Sequence, residues 1–190
     1  MKLFISHSAH SKTDQEFMFS LEDRLQKAGY QVCLDRSRLT GDKAGERWRN
    51  ELYQAICCCH GAIILITREA LKNKHPWVFK EYSMFTILKC LKKDFPIIPV
   101  RMKGVSLNDI KKSNLEVLQA DEYIIASYKK IDSVISSIDS KLDNLKYSDE
   151  TEPLYHHHHR IALRLMHIDP RVLRTTINEI GNQNNIFIFK

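Results

Sequence analysis

The sequence predicts an α/β protein with a mostly parallel, five-stranded sheet flanked by helices and a mainly helical C-terminal extension. Three observations lead there. Up to about residue 145, short apolar runs alternate with longer stretches that carry apolar residues at helical spacing. The run Gly61–Thr67 (GAIILIT) is apolar nearly throughout, as a strand covered on both faces must be. Strands separated by helices need crossover connections, and a parallel sheet with helices on its faces provides them.

Taken in order, Lys2–Ser6 (KLFIS) is too short for a helix and reads as the first strand. Thr13 to Ala28 carries Phe17, Leu21, Leu25 and Ala28 one helical turn apart, with Gly29 as a stop signal. Tyr30–Leu34 is a second strand ending at Asp35, and a polar loop follows from Arg36 to Lys43. Trp48, Leu52, Ala55 and Ile56 mark a second helix, and Gly61–Thr67 is the third strand. Pro76 suits the first turn of a helix running through Trp77, Tyr82, Phe85 and Leu88. Phe95–Val100 (FPIIPV) reads as a fourth strand, whose two prolines place it near an edge or a sheet end. Glu122–Ile125 is a weak fifth strand, and Tyr128, Ile131, Val134, Ile135, Ile138, Leu142 and Leu145 form the clearest amphipathic stripe in the chain.

The polar stretch 146–153 reads as a linker between a domain at 1–145 and an extension at 154–190. In that extension Leu154–His167 and Asp169–Ile180 suit helices, and Ile186–Phe189 suits an edge strand. A length of 190 residues fits one domain plus an appendage. With 43% hydrophobic and 27% charged residues, disorder and a collagen-like repeat are excluded. Ala62–Ile66, the longest aliphatic run, is far below the ~20 residues a membrane-spanning helix needs. No signal-peptide core is present either, so a cytoplasmic protein is expected.

Cys33, Cys57, Cys58, Cys59 and Cys90 are odd in number and lack CxxC spacing, which reads as free thiols in a reducing compartment. Cys59 beside His60 could form a nucleophilic pair, but falls where a helix ends and a buried strand begins, so packing is the favoured role. No metal site is expected: the four histidines His156–His159 are consecutive and would point in different directions on a helix. Neither GxGxxG nor GxxxxGK[ST] occurs, which removes the usual phosphate cradles. A phosphoacceptor regulator would want a carboxylate at the end of the third strand, where Ile66 and Thr67 stand.

A family resemblance rests on five segments in order. Phe4-Ile5-Ser6-His7-Ser8 resembles the first box of Toll/interleukin-1 receptor (TIR) domains. Val32-Cys33-Leu34-Asp35 followed by Leu39-Thr40-Gly41-Asp42 resembles the second strand and the loop through which such domains contact one another. Trp48 and Ala55-Ile56 match the next helix, Gly61–Thr67 the next strand, and Trp77 with Glu81 the W-x-x-x-E segment. Two departures stand out: His7 occupies a position where tyrosine is common, and the loop after Asp35 is about one residue short.

The resemblance implies a flavodoxin-like fold and, in enzymatic members, cleavage of the nicotinamide–ribose bond of NAD with no further cofactor. It assigns Glu81 as the catalytic carboxylate, Ser6, His7, Ser8, Asp35 and Trp77 as substrate contacts, and Leu39, Thr40, Gly41 and Asp42 as the assembly loop. Arg36 and Arg38 would meet the pyrophosphate or another protomer. It also implies self-association, a role in bacterial, antiphage immune signalling, and a downstream effector that answers the product. Against these stand plainer roles: Glu81 as a solvated glutamate paired with Lys80 or Lys74, Trp77 as a core anchor, and Ser6, His7 and Ser8 as loop caps. A non-enzymatic TIR scaffold is the alternative function. The chain carries a net charge of +6, with eleven Lys/Arg between Arg68 and Lys112, and a solvated positive face accounts for it. NAD steering is the second account, and neither nucleic acid nor membrane is an expected partner.

Overall fold

The computed structural model describes residues 1–8, 11–34, 46–72, 77–92, 94–113, 115, 118 and 122–143, with the backbone alone at 46–50, 90 and 91. Within them lie β1 (Lys2–Ser6), α1 (Lys12–Lys27), β2 (Gln31–Leu34), α2 (Glu46–Cys57) and β3 (Gly61–Ile66). Then come α3 (Trp77–Leu91), β4 (Ile97–Met102), α4 (Leu107–Lys111), β5 (Ile124–Ala126) and α5 (Ile131–Leu142). The assembly-loop residues Leu39, Thr40, Gly41 and Asp42, together with Asp35, Arg36 and Arg38, lie outside the described residues, as do the linker at 146–153, the four-histidine run and the extension at 154–190.

The five strands form one sheet in the order β2-β1-β3-β4-β5, and all four pairings are parallel. This is the flavodoxin-like α/β arrangement, with the direction in which strands are added to the sheet reversing between β1 and β3. Helices α1 and α5 pack together, while α3 packs on β1, β3 and β4 and touches α2. Right-handed crossovers put these two pairs on opposite faces. Every residue of β3 is buried, as its apolar run requires of a central strand.

Local chemistry fixes the ends of α1. The Ser11 hydroxyl accepts from the Asp14 N–H at 3.4 Å. At the other end Gly29, with φ 92°, takes the left-handed turn, and Tyr30 N–H reaches Leu25 O at 3.0 Å. One short helix escaped the sequence reading. α4 carries a capping box in which the Asp109 N–H donates to the Ser106 hydroxyl at 3.1 Å and the Ser106 N–H donates to the Asp109 carboxylate at 2.7 Å.

Two expectations need correction. The fourth strand begins at Ile97, because Phe95 is buried by stacking on Phe85 (ring centroids 6.3 Å apart) without pairing. β4 does stand next to a sheet edge, as its prolines indicate: β5 lies outside it and pairs only from Val100 onward, so Pro99 precedes the stretch of that flank where a donor is needed. Tyr128 does not belong to the last helix, which starts at Ile131. It stands before that helix, half-exposed, and its hydroxyl donates to Asp14 Oδ1 at 2.6 Å while its ring meets Phe17 edge-on at 5.8 Å.

Gly61 opens β3 where a Cβ would lie 2.6 Å from Pro96 Cγ and 3.3 Å from Leu3 Cδ2. A proline ring cannot swing away, so Gly61→Ala should cost about 1–3 kcal/mol, measured by urea unfolding. Partial burial, aided by the Asp14 carboxylate, pushes the Tyr128 hydroxyl up to about 12. The raised value favours the neutral phenol, so the stability it contributes is intact below about pH 10 and lost between about pH 10 and 12. Ultraviolet titration should show one late tyrosine step that Tyr128→Phe removes.

Candidate active site

The carboxyl ends of parallel strands are where such sheets bind ligands, and here that end of β1 is unusually polar. Ser6, His7, Ser8 and Glu81 are buried there, and Thr67 is buried at the same end of β3. Ser6, the last residue of β1, donates its hydroxyl to Glu81 Oε2 at 2.5 Å. Glu81 lies in the second turn of α3 and is only 1% exposed.

Packing one step below sets this pair. Phe4 and Phe85 meet at 5.6 Å between ring centroids. Two residues along a strand advance roughly 6.6 Å, and four along a helix advance roughly 6 Å. Phe4 with Phe85 and Ser6 with Glu81 are therefore successive rungs of one ladder between β1 and α3. The aromatic rung is hydrophobic and the upper rung is a charge-capable hydrogen bond. Burying a carboxyl group is costly without donors, so the serine's placement is a condition for Glu81 to sit there.

The rest of the predicted set is placed as follows. His7 Nδ1 lies 3.4 Å from the Ile5 carbonyl oxygen, a contact that the Nδ1–H tautomer makes as donor. The buried Ser8 hydroxyl has no hydrogen-bond partner among the described residues. Trp77 is half-buried on the same helix as Glu81, four residues earlier, and is not part of the buried core. The Lys80 ammonium sits over its ring, 4.7 Å from the centroid. The plain reading of Glu81 as a solvated glutamate is thus overturned by its burial, and Lys80 is engaged with the indole. Ser6 and Glu81 are brought into contact; Asp35 lies outside the described residues.

Basic residues of the 68–112 stretch are partly spent on backbone carbonyls. Arg68 donates through Nε and Nη2 to Gly104 O at 3.3 and 3.1 Å, Arg101 donates to Val105 O, and Lys92 donates to Cys57 O at 3.2 Å. Arg68 also lines a crevice of about 350 Å³ on the same rim, together with Asp14, Met102, Lys103 and Tyr128. Sequence reading passed over this crevice because its residues come from segments far apart in the chain: the first turn of α1, the residues after β3, the end of β4 and the stretch before α5. Among the described residues no group of three or more His, Cys, Asp or Glu converges as a metal site.

The Ser6–Glu81 bond should show in a double-mutant cycle. Ser6→Ala alone leaves a buried carboxylate oxygen short of a donor and should destabilise by about 1–3 kcal/mol. In a Glu81→Gln background the same change should cost measurably less, the difference read from urea midpoints.

The comparisons with known proteins bear on the whole assembly. Among solved structures, the TIR domains of the activated Roq1 resistosome, which directly recognizes the pathogen effector XopQ, align at 18% identity with a TM-score of 0.44, covering 94% of this chain and 97% of that one. No curated protein matches significantly. A sequence profile of the TIR domain matches residues 3–134, which span the described fold from β1 into α5. That match takes in the polar end of β1 and the helix bearing Glu81 as well as most of the chain, and the protein belongs to the TIR domain family.

Proposed function

We propose that this TIR domain cleaves NAD at the nicotinamide–ribose bond, as a glycohydrolase or ADP-ribosyl cyclase, with Glu81 as the catalytic carboxylate. The observation that carries the reading is a buried carboxylate held by Ser6 at the carboxyl end of β1, where a doubly wound sheet receives its ligands. Nicotinamide is already a cationic leaving group and needs no general acid. The remaining demand is stabilisation of an oxocarbenium-like ribose, and one carboxylate fixed in a dry site meets it.

Glu81 spends an oxygen on the Ser6 hydroxyl. Turnover then requires that this bond be exchanged for, or shared with, a ribose hydroxyl, with Ser6 holding the carboxylate until substrate arrives. Ser8 supplies a further hydroxyl on the rim, His7 continues it, and Trp77 offers an indole to a ring of the substrate. Asp35 and the loop bearing Leu39, Thr40, Gly41 and Asp42 would complete the site, the loop in a head-to-tail assembly of copies. Immune signalling through the product, or through loss of NAD, is the biological role we attach to this activity, on the strength of the family resemblance alone.

A second reading has one observation in its favour. At 1% exposure Glu81 is closed off from solvent, as suits a structural residue of a TIR scaffold that recruits partners without chemistry.

Incubation of the protein with NAD, with and without a crowding agent, and chromatography of the products separate the two. Nicotinamide release that falls about 10²–10³-fold in Glu81→Gln is the expected result. Equal turnover in both proteins removes Glu81 from its role, and no release under any assembly condition favours the scaffold.

A further inference from the structure

The crevice of about 350 Å³ on the carboxyl-end rim is not part of the Glu81 site: none of Ser6, His7, Ser8, Trp77 or Glu81 lines it. Its walls come from the start of α1 and from the residues after β3, β4 and β5, so it lies beside the α1–α5 pair. The chemistry proposed at Glu81 makes no use of it. Its volume falls at the low end of the roughly 300–1,000 Å³ usual for small-molecule sites.

Backbone contacts hold its positive groups in place. Beyond β4 the chain turns through Gly104, whose φ of 101° is the left-handed conformation that favours glycine, and the Val105 N–H closes the turn on Met102 O at 3.1 Å. Because the Gly104 carbonyl oxygen accepts from both Nε and Nη2 of Arg68, the plane of the guanidinium group is fixed, and Nη1 has no partner among the described residues. The Lys103 N–H is tied to Ala126 O at 2.6 Å, while its ammonium group has no ion-pair partner among the described residues. Ser11, the N-cap of the 16-residue α1, brings the positive end of that helix's dipole to the same place.

Against these groups stands one buried carboxyl group. Asp14 is only 6% exposed. Its Oδ1 accepts from the Tyr128 hydroxyl, while Oδ2 has no hydrogen-bond partner among the described residues and is not sealed from solvent. Oδ2 is thus the part of a nine-tenths buried side chain still open to a donor, and the residue lines the crevice. The second acidic residue of the lining, Glu69, is engaged by the Lys72 ammonium. Met102 and Val105, both buried, add apolar surface, and the half-exposed Tyr128 offers a ring.

We propose that this crevice is a mononucleotide site, in which Asp14 accepts a hydrogen bond from the ribose diol and Arg68 and Lys103 take the 5′-phosphate. Two cations and the positive end of a helix call for an anion. The Asp14 oxygen calls for a neutral donor and repels a bare anion, so the anionic group and the donor belong to separate ends of one molecule. A sugar diol is the donor that an acidic side chain accepts at the ends of parallel strands in nucleotide-binding sheets. Arg68 Nη1 and the Lys103 ammonium supply the N–H groups for the phosphate oxygens. The Tyr128 ring gives the base a surface to stack on. Its hydroxyl, pushed up to about 12 by partial burial and by Asp14, stays a donor at neutral pH and keeps Oδ1 occupied, so the ribose meets Oδ2. The volume suits one nucleotide rather than two, which sets this site apart from a second site for NAD.

The test is calorimetric titration of the full chain with adenosine 5′-monophosphate at low salt. This probe has no nicotinamide bond, so binding is read apart from turnover. One saturable site per chain is expected. The 2′,3′-dideoxy nucleotide, and adenosine without its phosphate, should each bind roughly tenfold or more weakly, as for loss of a hydrogen bond to a charged group. Asp14→Asn should weaken the nucleotide about tenfold and make its binding indifferent to removal of the diol. Lys103→Met should weaken the nucleotide but not adenosine, and Glu81→Gln should leave binding as in the native chain. The dideoxy comparison uses the native chain, so it stands even where Asp14→Asn fails to fold. The proposal is overturned by no saturable heat with millimolar nucleotide, by equal affinity for the nucleotide and its dideoxy analogue, or by inorganic phosphate competing as well as the nucleotide. A loss in Glu81→Gln that Asp14→Asn and Lys103→Met do not share would assign the nucleotide to the Glu81 site and overturn it as well.

Discussion

A carboxyl group withdrawn from water must be met by a donor that is already in place, and much of this domain is arranged around that demand at Glu81. Ser6 can answer it only because β1 ends where it does, flanked by β2 on one side and β3 on the other. α3 can present Glu81 only because Phe85, one turn later, is seated on Phe4. The apolar rung sets the height and azimuth of the helix, and the polar rung then falls within reach. A removed ring at the lower rung leaves a cavity, whereas a removed hydroxyl at the upper rung leaves a charge-capable oxygen short of its donor; both act on the same helix.

The burial on which the proposed chemistry at Glu81 rests also separates its carboxyl group from any ligand in solvent. In a low-dielectric setting a fixed carboxylate interacts strongly with a developing cation and needs little reorganisation to do so. The same setting makes approach by a hydroxylated ligand an exchange of hydrogen bonds. Ser6, Ser8 and the buried His7 form a polar lining against which such an exchange can run.

Legibility in the sequence followed the physics of each signal. The first strand, Lys2–Ser6, and the third, from Gly61, were readable because apolar runs bounded by polar residues coincide there with full burial. At Phe95 the same signal misled, since hydrophobicity reports burial and not pairing. Tyr128 fitted a helical stripe by spacing, yet serves as a hydrogen-bonded strut before the helix. The five-residue α4 is too short for periodicity, though the Ser106–Asp109 capping pair was there to be found. Glu81 was singled out by a motif, but composition alone described it as solvated. Its contact with Ser6 joins residues 75 apart in the chain, and no local pattern carries that information.

The outermost strands are both short, four residues in β2 and three in β5. A sheet edge recruits further strands in proportion to the row of unpaired N–H and C=O groups it offers, and such brief rows offer little. Strand-to-strand extension into a continuous sheet is accordingly a poor route for copies of this domain to join. Contacts between copies would have to be made by helices and loops, whose side chains can be tuned for reversible association without the hazard of an amyloid-like edge.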